Sequence, residues 1–303
     1  MAQITKKARI GGYTIYRPIR YGRSVTVAVA VKVFDGIVLA ADSATTIELA
    51  NGSSQVYNNA NKVFHLHRTH PVAAMTWGLG NVGGASISDL AKDLRMRLMG
   101  LDPDYADWEL TGSYTVEEIA GRLIEHLHPL YAADHLQAPT PPTIGFLVAG
   151  YSSGQSQAEA WRIEISSPTM TPVPVSDIPR NAAGWISYAQ PEATQRLFSG
   201  IDPYIAAAMH GALDPAEWAK IEPLMTSVNR QPAHQAMPLG DAIALAKFLV
   251  EVTAGYSHFL LGPDTVGGPI EVASISRHEG FKWISRKHYY SQDLNPEGPN
   301  HAG

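Results

Sequence analysis

Residues 24–34, SVTVAVAVKVF, are apolar or β-branched at nearly every position, and IVLAAD at 37–42 has the same character. Between them lies Asp35-Gly36. Residues of this kind favour extended backbone, and Asp-Gly is a strong signal for a two-residue hairpin turn. The pair therefore reads as a β-hairpin whose strands are apolar on both faces. Such strands do not lie on a surface: each face needs a cover, either helices or a second sheet. This requirement constrains the fold more than any other feature of the chain.

Three more hairpins follow the same reading. NKVFHLH (61–67) pairs with VAAMTWG (72–78), PPTIGFLVAGY (141–151) with AEAWRIEIS (158–166), and PIEVASIS (269–276) with FKWISR (281–286) around His278-Glu279-Gly280. Helical spacing of apolar residues marks SISDLAKDLRMRLM (86–99), with Ser86 or Ser88 available as its cap. A second helix begins at Thr115, with Glu117 and Glu118 behind it, and runs to about residue 134. A third is LGDAIALAKFLVEVTAGY (239–256), and WISYAQPEATQRL (185–197) has a helical pattern after Gln190-Pro191. Residues 200–238 hold Pro, Gly and short amphipathic pieces. Hairpins with helices grouped between them imply an α+β layered fold.

Composition excludes several function classes. A formal net charge of −5 gives no global pull toward nucleic acid or an anionic membrane. The absence of cysteine rules out disulfides, zinc–thiolate and iron–sulfur sites and a Cys nucleophile. No apolar run is long enough to span a bilayer, and the first 23 residues have no apolar signal core, so a cytoplasmic location is the default expectation. That segment is locally basic and reads as a solvated arm. His65-x-His67 would put two imidazoles on one strand face, and His126-x-His128 diverge on a helix. Neither pair has a third ligand at suitable spacing, so no metal is expected.

One stretch is far more specific. TVAVAVKVFDGIVLAADSATT, then NNANKVFHLH, then AAMTWGLGNVGGASISDLAKDLR resembles the first third of a proteasome β-type subunit. The resemblance is dense over about residues 25–100 and looser over 141–165 and 240–286. It implies a four-layer αββα sandwich, two antiparallel sheets flanked by helices, which is the N-terminal-nucleophile hydrolase fold. It also implies a threonine-type peptidase without a cofactor. Residues 1–25 would then be an N-terminal extension or propeptide. Residues 26–290 would be one such domain with a helical insertion at about 200–238, and 291–303 a disordered tail.

By the same resemblance Thr26 is the nucleophile, Lys62 the catalytic lysine, Asp42 its partner and Gly78 the donor of an oxyanion-binding N–H. Asp264 is the nearest aspartate to the family's supporting acid, one residue out of register, and Ser187 the nearest serine to its other supporting site. Thr45, Thr46, Ala60, Phe64, Thr76 and Gly80 are expected to line the specificity pocket. All are uncharged, which favours an apolar or small substrate side chain.

The chemistry has its own logic. A threonine hydroxyl is a weak nucleophile and needs a base beside it. When threonine is the first residue its α-amine can serve, with an unperturbed pKa of about 7.7–8.0. A lysine ammonium nearby lowers that value further, and a carboxylate offsets the cost of burying the lysine. Each residue taken singly also has an ordinary reading. Thr26 suits a strand, Asp42 an Asx-turn, Lys62 solvent and Gly78 a bend.

The expected substrate is a peptide or unfolded protein, and the expected assembly a homo-oligomeric ring in which helix 86–99 lies at the subunit contact; whether an ATPase partner feeds it is open. Two alternatives stand beside this one: a non-catalytic ring subunit, and an amidase of the same class acting on a small amide. Either active form requires Thr26 to become residue one. Cleavage of Val25–Thr26 would do this, as would translation from Val25 followed by loss of the initiator methionine.

Overall fold

The computed structural model of the chain describes residues 8–10, 13–15, 26–48, 54–261 and 266–287. Its first hairpin joins β1 (Ala28–Val33) to β2 (Gly36–Ala41), every residue of both being buried. The two-residue loop is Phe34-Asp35, one position earlier than the Asp-Gly signal suggests, because Val33 pairs with Gly36. Gly36 is needed for a different reason. A Cβ there would sit 2.5 Å from the carbonyl oxygen of Ile275 on the neighbouring strand.

Two further strands, β3 (Thr45–Glu48) and β4 (Ser54–Tyr57), form a small separate ribbon that the sequence reading did not anticipate. β5 (Val63–His65) and β6 (Val72–Gly78) follow, then β7 (Ile144–Gly150) and β8 (Glu159–Ile165). β9 (Val175–Ile178) and β10 (Gly184–Tyr188) come next, and β11 (Glu271–Ser276) and β12 (Gly280–Ser285) close the chain. The strands assemble into two five-stranded antiparallel sheets. The first has the order β10-β1-β2-β11-β12 and the second β9-β8-β7-β6-β5.

The expected helices are α1 (Ile87–Leu98), α2 (Val116–His135), α3 (Glu192–Ser199) and α6 (Leu239–His258). Ser86 caps α1 by accepting from Asp89 N, and Thr115 with Glu118 forms a reciprocal capping box on α2. The region 200–238 supplies α4 (Pro203–Ala212) and α5 (Pro215–Val228), each with an Asp cap and Pro in its first turn.

Three apolar clusters define four layers. Alternate residues of the first sheet, such as Val29 and Val31, pack against α6 through Ala246, Leu249 and Val250. The intervening residues, such as Ala28 and Ala30, meet Met75, Trp77 and Leu147 of the second sheet. The far face of the second sheet packs on α1 and α2 through Leu90, Leu94, Ile119 and Leu123. This is the αββα sandwich that the resemblance implied, and it gives the strands that are apolar on both faces the cover they require. Trp77 stacks on Tyr188 across the inter-sheet core, with centroids 4.1 Å apart. Among the described residues no helix is long and apolar enough to cross a membrane. In the N-terminal arm, Ala8–Ile10 pair with Tyr13–Ile15, and the expected tail at 291–303 lies outside the described residues.

Candidate active site

The hairpin register brings the two ends of β1 and β2 together. Ala28 pairs with Ala41, so just beyond the strand ends Asp42 lies opposite Val27, the residue after Thr26. The backbone N–H of Val27 donates to Asp42 Oδ1 at 3.0 Å. Stacking the second sheet on the first carries the start of β5 to the same place. Lys62 Nζ donates to Asp42 Oδ1 at 2.6 Å and to Thr26 Oγ1 at 2.9 Å. The other carboxylate oxygen, Oδ2, accepts from the N–H groups of Ala44 at 3.1 Å and Gly267 at 3.0 Å. Asp42 is 1% exposed and Lys62 4%.

Burial pulls the Lys62 pKa below the usual 10.5, while the charges of Asp42 and Glu271 push it back up. The Lys62 side-chain nitrogen is aimed at a hydroxyl and held by a carboxylate that three backbone donors already satisfy. An ammonium in that position stabilises negative charge developing on the threonine oxygen.

Thr26 and Lys62 lie on the wall of an open cavity of about 690 Å³. Gly78 is on the same wall. Its φ of +91° and a Cβ position 2.3 Å from the Thr143 carbonyl oxygen leave room only for glycine. Of the expected pocket residues, Thr45, Ala60, Thr76 and Gly80 line this cavity. Phe64 does not: it turns to the opposite face of β5 and packs with Leu66, Ile87 and Leu90 beneath α1. The side chain of Thr46, and Asp264 altogether, lie outside the described residues.

Ser187 is not placed to support Thr26. Strand alternation puts it with Trp185 on the face of β10 that packs toward α6, and its buried hydroxyl has no hydrogen-bond partner. His65 stacks on Phe281, and His67 Nδ1 accepts from the backbone of Thr69 and His70, so neither imidazole reaches the cavity.

Sequence reasoning missed two groups. One is the polar part of the cavity wall, with Asn58, Asn59, Asn61 and Asn81 among its members. An NNAN run before a strand is a legible signal of amide-rich lining, but not of the direction in which the amides point. The other is a second buried lysine–carboxylate pair, Lys287 with Glu271, which touches the backbone of Lys62. The acid inside PIEVASIS was visible as the one charge in an apolar strand, and nothing marked its partner.

Among solved structures the fold is similar to Anbu (ancestral beta-subunit) from Yersinia bercovieri, with a TM-score of 0.50. The two are 16% identical in sequence over 87% of this chain and 88% of that one. At that identity the likeness shows the fold alone. The resemblance to proteasome β-type subunits therefore holds at the level of fold: two five-stranded antiparallel sheets between helical layers. No family model matches the chain, and no curated protein does.

Proposed function

We propose that this chain is a threonine-type peptidase in which Thr26 is the nucleophile. The observation that carries the proposal is the position of Lys62 Nζ, 2.9 Å from Thr26 Oγ1 and 2.6 Å from Asp42 Oδ1, on the wall of the large cavity.

The reaction runs as an acyl transfer. Thr26 Oγ attacks the substrate carbonyl carbon while its proton passes to the free α-amine of Thr26. Lys62 stays protonated, lowering the amine pKa and stabilising charge on Oγ. The Gly78 N–H stabilises the tetrahedral oxyanion, a contribution of about 3–4 kcal/mol for one good donor. The amine then protonates the leaving nitrogen, and the C–N bond breaks to leave an ester on Thr26. Water, deprotonated by the same amine, hydrolyses that ester and restores the hydroxyl.

The cavity favours uncharged substrate side chains. Its wall carries asparagine amides and the hydroxyls of Thr45, Ser86 and Ser88 beside apolar Leu79 and Ile87. Amide or hydroxyl side chains suit it as well as the small apolar ones expected from the sequence.

A homo-oligomeric ring is proposed on the likeness of fold alone. The apolar stripe of α1 that suggested a subunit contact is spent inside the chain: Ile87, Leu90, Leu94 and Leu98 are all buried in its own core. Light scattering tests assembly, and a mass near 32.8 kDa over a wide concentration range would count against it. The catalytic proposal is tested with protein that begins at Thr26. Fluorogenic peptides should be cleaved, and Thr26→Ala should abolish cleavage. Turnover of small amides without peptides would favour the amidase reading.

A further inference from the structure

Beneath the Thr26–Asp42–Lys62 group lies a second set of buried charges. Glu271 opens β11 and pairs in register with Ala41, the residue before Asp42. Its side chain reaches across to the other sheet, where Oε2 accepts the backbone N–H of Lys62 at 3.1 Å. Its other oxygen, Oε1, lies 3.6 Å from Lys287 Nζ. Lys287 comes from the segment just after β12, and its ammonium also donates to Ser43 Oγ at 2.8 Å and to the carbonyl oxygen of Ala60. The Ser43 hydroxyl in turn donates to Pro269 O. The Glu271 side chain is 1% exposed and that of Lys287 5%.

These contacts are placed with respect to the site. Lys287 holds Ser43, the residue after Asp42, and Ala60, two residues before Lys62. Glu271 holds Lys62 itself. One ammonium therefore ties together the two segments that deliver the acid and the lysine. A fold that needed only packing here would be served as well by apolar side chains, because burying four charges is costly.

Resting on the reading of Thr26 as nucleophile, we propose that Glu271 and Lys287 are positioning residues of this site: a second ion pair that fixes Lys62 by its backbone and sets its charge state. The groups facing Lys62 among the described residues are Thr26 before β1, Asp42 after β2, Glu271 on β11 and Lys287 after β12. Glu271 and Lys287 act on Lys62 with opposite sign. The carboxylate favours the ammonium form of Lys62, whereas the second ammonium disfavours it.

That opposition supplies a test that loss of packing cannot imitate. Glu271→Gln keeps an acceptor for the Lys62 N–H and removes the negative charge. Lys287→Met keeps the stem and removes the positive one. Activity requires a free α-amine and a charged Lys62, so the profile of kcat/KM against pH is a bell. Removing the carboxylate lowers both limiting pKa values, and removing the ammonium raises both. The bell should move to lower pH in Glu271→Gln and to higher pH in Lys287→Met, each by roughly half a pH unit or more. In the double variant it should return toward the wild-type position.

A second readout does not need activity. In protein that begins at Thr26 and is labelled with ¹⁵N-lysine, the Lys62 Nζ titration, assigned by its disappearance in Lys62→Arg, should shift in the same two directions. Shifts of one sign in both variants, or no shift with only a lower Tm, would overturn the positioning role. Opposite shifts of Lys62 in a protein that begins at Thr26 but cleaves nothing would uphold this inference and sink the peptidase reading instead.

Discussion

Lys32 and Lys62 are both lysines buried in the sandwich, 2% and 4% exposed, and they differ in what accepts their protons. Lys32 lies on β1, on the face toward the second sheet, and gives its protons to two backbone carbonyls, Pro179 O and Arg180 O, each at 2.7 Å. Those acceptors cannot titrate and do not react. They stitch β1 to the turn between β9 and β10. Lys62 gives its protons to a carboxylate and a hydroxyl beside a cavity. Burial lowers both pKa values, Lys32 to about 8 against a partial counterweight from Glu159. A depressed lysine is therefore no mark of a site by itself. What separates the two is the identity of the acceptors and the access to substrate.

The largest effect expected from this contrast is on activity. Lys62→Ala should lower kcat/KM by about a thousandfold, while Lys32→Met leaves it within about threefold. Circular dichroism should show both variants folded. Near-wild-type turnover by Lys62→Ala would erase the distinction.

The next effect is on stability and concerns the acid. Removing Lys62 leaves Asp42 with its three backbone donors, so Lys62→Ala should cost only about 1–2 kcal/mol. Asp42→Asn is worse. Either orientation of the amide places an NH₂ where Val27 N–H and Lys62, or Ala44 N–H and Gly267 N–H, already donate. The expected cost is about 3 kcal/mol or more, from urea unfolding. An equal or smaller loss than in Lys62→Ala would mean that the backbone donors do not hold the carboxylate.

Gly78→Ala comes third. Positive φ and the close Thr143 carbonyl together should cost about 2 kcal/mol. Gly83→Ala, with φ +58° and open space around its Cβ, should cost about half as much. Differential scanning calorimetry of the pair separates strain from collision.

The smallest effect is a slope. The folded pKa of Lys32, about 8, lies below the unfolded value of 10.5. Between those values the unfolded chain binds more protons, so this residue makes stability rise with pH, by at most about 1.4 kcal/mol per pH unit. The contribution is absent below pH 8, where both states are protonated. Lys32→Met should flatten the change in urea midpoint between pH 8 and pH 10 relative to wild type. An unchanged slope would mean that Lys32 is not depressed.

The same contrast explains what the sequence could and could not say. The layered architecture was legible because β1, β2, β6 and β7 are apolar on both faces, a pattern that admits few arrangements. That Thr26, Asp42 and Lys62 come together was legible through the family resemblance of the run that holds the first two and of the strand that starts at the third. β10 was not, because the β-forming residues of GWISY run straight into the helical pattern that follows Gln190-Pro191. Ala189, with φ of +71°, makes the break that separates strand from helix. Phe64 was misplaced because β5 is only three residues long, and which face meets the cavity depends on how the two sheets stack. Glu271 and Lys287 lie more than 200 residues from Lys62, and no local rule brings them there.

Catalysis by Thr26 depends on its state in the working protein. An amide nitrogen is not a base, so the α-amine mechanism needs residues 1–25 removed or never made. Intact mass and N-terminal sequencing of the species that cleaves peptides, purified from its native host, test this directly. The expected result is a chain beginning at Thr26, with activity lost in Thr26→Ala. A chain that still carries Val25 and turns over peptides would contradict it.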